Sequence, residues 1–161
     1  MKNFILNTSS LLLILLIVSC GGLGSYYEQF TNDKPFINRI SDLNKTIEEI
    51  RTTEKGKLIK DDIGLLKYVY EIGKNDTYVV SYLFDEKGCY EIGIDGYFEM
   101  ENETNNVVSG IKLEMEKSEY EKSSDENYLS RWKNTDGSTS IELDYKDTSR
   151  GLFIATIFAN E

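Results

Sequence analysis

The sequence predicts an α+β domain in which two helices pack on one face of an antiparallel sheet, in the order helix–three strands–helix–three strands. Ile37, Ile40, Leu43, Ile47 and Ile50 recur at spacings of 3, 3, 4 and 3 and trace one helical stripe. Leu66, Tyr68, Tyr70 and Ile72 alternate instead, which puts all four on one side of a strand. Val107, Ile111 and Met115 then restore the helical period, and alternating runs follow once more.

Pro35 opens the first helix, where its fixed φ and missing N–H suit a first turn. About four turns follow, and Gly56 comes soon after their end. The strand around Leu66–Ile72 turns at Gly73-Lys74-Asn75-Asp76 into a second, Tyr78–Phe84. Asp85-Glu86-Lys87-Gly88 then leads to a third, Cys89–Tyr97. Such short connections imply antiparallel hairpins. The second helix spans about Glu103–Lys117, and Ser118–Asn127 reads as a polar loop. Strands at Tyr128–Lys133, Ser140–Tyr145 and Gly151–Phe158 complete the chain, separated by Thr135-Asp136-Gly137-Ser138 and Lys146–Arg150. The repeated order suggests a duplication, although the two halves share almost no identity beyond similarly placed Gly88-Cys89-Tyr90 and Gly151-Leu152-Phe153.

The first residues have another character. Lys2 supplies positive charge, Phe4-Ile5-Leu6 and Leu11–Val18 supply apolar bulk, and Ser19 is a small residue at a boundary. The eight uninterrupted apolar residues Leu11–Val18 are too few for a bilayer span, which needs about 20 in a helix. An export signal is the expectation. Ile17-Val18-Ser19-Cys20 resembles the lipobox of bacterial lipoproteins. That resemblance implies cleavage after Ser19 and a diacylglyceryl group on Cys20, with acyl chains such as palmitate holding the protein on a bilayer. Each buried methylene contributes about 0.8 kcal/mol, so two or three chains make a stable anchor where one does not. Gly21 stands where an aspartate would resemble the inner-membrane retention signal of enteric bacteria, which favours the outer membrane. The expected organisation is a signal peptide at 1–19, a lipidated cysteine and flexible glycine-rich tether at 20–34, and a single domain at 35–161.

Composition narrows the partners. With 18 basic and 28 acidic residues the formal net charge is −10, which repels nucleic-acid phosphates and anionic lipid headgroups alike. Membrane attachment is therefore expected through acylated Cys20, and a protein is the expected further partner. With Cys20 acylated, Cys89 has no cysteine to pair with and reads as a small buried hydrophobe.

Catalytic chemistry finds little support. The chain has no histidine, which removes histidine triads, cysteine–histidine pairs and histidine metal sites. No glycine-rich phosphate loop occurs. The acidic pairs Glu48-Glu49, Asp61-Asp62, Asp85-Glu86 and Asp125-Glu126 fall where solvated acids are common. Asn134-Thr135-Asp136-Gly137-Ser138 lacks the length and closing glutamate of a calcium loop. Neither a catalytic residue, a metal nor a cofactor is expected.

Aromatic residues are the remaining candidates. A sheet covered by helices on one face leaves the other open, and exposed Tyr and Trp favour protein interfaces. Tyr68, Tyr70 and Trp132 form the candidate binding face, while Val69, Val79 and Leu83 lie opposite the expected core side. The functional expectation is a membrane-anchored envelope lipoprotein that binds a protein without catalysis. The alternative is an exported inhibitor or immunity-type protein that neutralises a toxin or hydrolase.

Overall fold

The computed structural model describes residues 25–160, and within them two strand meanders join at their last strands into one antiparallel sheet. The first comprises β1 (Lys57–Asp62), β2 (Leu65–Ile72), β3 (Asp76–Asp85) and β4 (Gly88–Tyr97). The second comprises β5 (Glu121–Glu126), β6 (Leu129–Lys133), β7 (Thr139–Asp144) and β8 (Leu152–Ala159). β4 pairs with β8, so the order across the sheet is β1-β2-β3-β4-β8-β7-β6-β5. The fold is α+β. The expected signal peptide, its cleavage residue Ser19, the expected lipidated Cys20 and the first residues of the expected tether lie outside the described residues.

Each meander has four strands where the sequence reading gives three. The additional strands, β1 with sequence KLIKDD and β5 with EKSSDE, are the sheet's two edges and are exposed almost throughout. With water on both sides they need no alternation, so period two cannot reveal them. Each carries a register shift, at Leu58/Lys60 and at Lys122/Ser124. Charge and bulges are familiar protections of a strand edge against pairing with another chain.

The single helix expected from Pro35 onward is interrupted. α1 (Tyr26–Phe30) precedes it; α2 (Phe36–Arg39) runs into a 3-10 turn at Ile40–Asp42, and α3 (Ile47–Thr53) follows a break. Asn44 takes a left-handed φ of 63° in that break. Its N–H donates to the Cys89 carbonyl over 2.8 Å, and the Cys89 N–H donates to the Lys45 carbonyl over 2.8 Å. Docking on the start of β4 thus replaces helical hydrogen bonds. Thr46 restarts the helix through a capping box with Glu49.

The folded domain begins earlier than Pro35. Ser25 caps α1 through a capping box with Glu28, and Phe30 is buried against the rings of Tyr78 and Phe153. The Tyr27 N–H donates to Asn106 Oδ1 on α4 (Glu101–Glu116) over 2.8 Å. The stretch expected as tether to Lys34 therefore contains a packed helix.

The core lies between the helices and one sheet face. Phe30, Phe36, Ile50, Val107, Ile111 and Met115 meet Tyr78, Val80, Tyr82, Ile92, Ile94, Phe153 and Ile157 there, all buried. Gly88 and Gly151 open β4 and β8 at φ values of 126° and 76°, a region costly for other residues.

Candidate functional site

Strand alternation leaves the other sheet face to be built from the intervening residues. Cross-strand register arranges them in three rows. The middle row runs Lys67, Ser81, Gly93, Thr156, Glu142, Arg131 from β2 to β6. On one side runs Val69, Val79, Asp95, Ile154, Asp144; on the other, Leu65, Leu83, Glu91, Phe158, Ser140. Among the described residues the rings and helices that contact the sheet do so on the opposite face, as Phe30 does with Tyr78 and Phe153.

This open face is a mosaic. Ile154 is 49 % exposed and Tyr97, two positions beyond Asp95 on β4, is 48 % exposed. Val69, Val79, Leu83 and Phe158 are half-buried, so an apolar band borders a polar central row. Arg131 Nε donates to Glu142 Oε1 over 2.7 Å at one end of that row. Asp95, near its middle, is half-buried; burial pushes its pKa up, and the positive charge of Lys67 pulls it part of the way back. Its carboxylate has no hydrogen-bond partner among the described residues. Ser81 is 6 % exposed although it lies on this face, and its hydroxyl also has no partner.

The three aromatic residues expected to form a binding face do not. Tyr68, Tyr70 and Trp132 are all buried on the helix-covered side. Tyr68 and Tyr70 share strand parity with Leu66 and Ile72, and that parity faces the core. Tyr70 stacks on Tyr78 with ring centroids 4.7 Å apart, and its hydroxyl donates to Glu54. Trp132 sits in register with Ile141, itself opposite Ile157, under the same cover. Val69, Val79 and Leu83 do lie on the opposite face.

Two other features draw attention away from the open face. Arg39, Asp42 and Glu54 are buried between helices and sheet. Arg39 Nη1 lies 3.2 Å from Glu54 Oε1 and donates to the Tyr82 hydroxyl over 3.0 Å, while that hydroxyl donates to Asp42 Oδ2 over 3.1 Å. Lys34 and Lys45 cover the two acids from the solvent side. These charges offset one another and join helices to sheet. A surface groove of about 770 Å³ lies between α3 and the β1–β2 and β3–β4 turns, with Ile47, Ile63 and Phe84 among its walls. Arg51 is engaged there by Glu48 and Asp61.

Cys89 is buried, and burial pushes its thiol pKa up to about 12, the reverse of what a nucleophile requires. Among the described residues no group of three or more Cys, Asp or Glu is placed to hold a metal ion. Nor is any helix there long and apolar enough to cross a membrane. Comparisons with protein-family models, with curated proteins and with solved structures find no match to this chain.

Proposed function

We propose that this protein is a lipid-anchored module of the bacterial cell envelope, held through Cys20, that works by binding a protein on the open face of its sheet. The observation that carries the reading is the mosaic of that face. Accessible Ile154 and Tyr97 beside half-buried Val79, Leu83 and Phe158 put apolar and aromatic surface within reach of a partner, and aromatic residues are enriched at protein interfaces. The lipobox resemblance supports the anchor, and Gly21 after the cysteine favours the outer membrane.

The layout itself reads as two copies of one unit, helix then meander, with the helices on a common face. Supporting this, the chain entering α3 docks on β4 at Cys89, and the chain entering α4 docks on β8 through the Phe98 N–H to the Gly151 carbonyl over 2.8 Å. Gly88 and Gly151 stand at these equivalent contacts, where a Cβ would meet the Asn44 oxygen at 2.6 Å and the Phe98 oxygen at 1.8 Å.

The reading is tested with solubilised envelope from the source bacterium. Protein carrying Tyr97→Lys or Ile154→Lys is expected to lose a partner that the unaltered protein and Leu113→Lys, altered on exposed α4, both retain. Equal recovery by all four would contradict it. A captured toxin or hydrolase would specify an inhibitor or immunity role. Mass spectrometry of the processed protein is expected to find acylated Cys20 as its first residue; a bare thiol would remove the anchor.

A further inference from the structure

The groove between α3 and the two hairpin turns opens on the edge of the core. Ile47 and Phe84 pack against the buried cluster from outside and are half-buried, with the groove on their uncovered side. Ile63 stands on the rim, at the tip of the β1–β2 turn, and at 106 % exposure its side chain contributes no burial to the fold. The turn itself needs only Gly64, whose φ is 81°.

Backbone hydrogen bonds hold the walls. The Phe84 N–H donates to the Gly64 carbonyl over 2.9 Å, which ties the β1–β2 turn to β3. Asn44 and Lys45 clamp the approach to α3 onto Cys89. Asp85 Oδ1 accepts from the N–H groups of Lys87 at 2.7 Å and Gly88 at 3.2 Å, which sets the β3–β4 turn. The concavity is thus preformed, and its volume of about 770 Å³ is that of a binding cleft.

Apolar surface makes this a docking groove, and charge selects its occupant. Glu48, Asp61, Asp62, Asp85 and Glu86 line it against Arg51 and Lys87. Arg51 is engaged by Glu48 and Asp61, and Lys60 pairs with Asp62. The acids outnumber these cations in a chain whose net charge is −10, so anionic lipid and acidic peptides are repelled.

Position separates a protein occupant from a bilayer. The chain enters the domain at the other end of the strands, where the Tyr26 hydroxyl donates to Asp76 and lies beside Gly73. The eight residues of β2 put that end about 25 Å from Gly64. Cys20 is five residues before Ser25, a reach of at most about 17 Å. A bilayer held at Cys20 therefore meets the Gly73 end, and the groove lies at the other.

We infer that this groove receives an apolar segment of a partner protein flanked by lysine or arginine. Its apolar side chains pack on Ile47, Ile63 and Phe84, and its cations face the acids of the rim. The inference rests on the proposed protein-binding role, but not on the open sheet face.

The probe is a capped pentapeptide, lysine–leucine–phenylalanine–leucine–lysine. It is titrated into the full processed protein in zwitterionic nanodiscs, with isoleucine methyl groups labelled for NMR. The control peptide carries glutamate in place of both lysines. Saturating shifts are expected at the Ile47 and Ile63 methyls, with core Ile111 and open-face Ile154 unmoved and the glutamate peptide weaker by about tenfold or more. Ile63→Asn, read at Ile47, is expected to weaken binding about tenfold while leaving the Ile111 signal in place. Equal shifts from the two peptides, shifts centred on Ile154, no shifts at all, or undiminished affinity in Ile63→Asn would overturn the inference. Movement of Ile63 on exchange into anionic nanodiscs without peptide would assign the groove to the bilayer and overturn it too. Failure of the wider reading is distinguishable. If the titration succeeds while envelope capture is indifferent to Tyr97 and Ile154, the groove is the docking site and the open-face reading fails. If capture depends on Tyr97 and Ile154 while both peptides leave Ile47 unmoved, the face stands and the groove inference fails.

Discussion

Gly96 lies against Phe153 so closely that a Cβ on the glycine would stand 2.1 Å from the aromatic ring. Three residues earlier, on the other side of the same strand, Gly93 meets only Ser81 at 3.8 Å. The two positions should therefore respond oppositely to alanine. Gly96→Ala overpacks the core and is expected to cost about 1–3 kcal/mol. Gly93→Ala gains strand propensity and is expected to be neutral or stabilising by up to about 1 kcal/mol. Urea denaturation of both variants measures the contrast; comparable losses would show that Gly93 is structural after all.

Asp95 makes a related point through pH. Its pKa is raised by burial, so above that pKa the folded state carries a carboxylate less well solvated than in the unfolded chain. Folding is then opposed at neutral pH and relieved as pH falls through the folded-state pKa. Asp95→Asn is expected to raise stability at pH 7, with the gain shrinking on acidification. Denaturation midpoints across that range check the sign.

Asp125 titrates in the opposite sense. It accepts a hydrogen bond from Ser130 Oγ at 2.7 Å and from the Tyr145 hydroxyl at 3.0 Å, with Lys122 and Lys112 nearby. These contacts, the Ser130 bond foremost, lower its pKa to about 2. The stability it contributes is present above the ordinary carboxylate value and is lost as pH falls through about 2. Carbon-detected titration should show this low pKa, and Ser130→Ala should move it upward.

The buried charges between helices and sheet should be intolerant of partial removal. Arg39→Met removes the buried cation from Glu54, which keeps only Tyr70 and Lys34, and the donor from the Tyr82 hydroxyl, and is expected to cost up to about 3–5 kcal/mol. Thermal unfolding of that variant gives the measure.

Much of this fold was legible because water lies on one side of most strands. In β2–β4 and β6–β8 the core parity is apolar and the other mixed, so Leu66, Tyr78, Ile92, Ile141 and Phe153 announce themselves. β1 and β5 have no core side and left no period to read. The break before α3 was hidden because the apolar stripe from Ile37 to Ile50 continues across it; the Thr46–Glu49 capping box was the available signal. Ser25–Glu28 offered the same signal for α1, masked by the glycine-rich approach. The site was less legible. Parity with Leu66 already placed Tyr68 and Tyr70 in the core, yet Gly93 and Gly96 look alike in sequence. Only the volume around each tells which one is occupied by the fold and which is left open.

The central claim is that the open sheet face is the working face, and site-specific photo-cross-linking in intact cells tests it most directly. A benzophenone amino acid at Ile154 is expected to yield a discrete adduct with one envelope protein, whereas the same group at Leu113 on α4 yields none. An adduct from Leu113 alone, or equal adducts from both, would contradict the account.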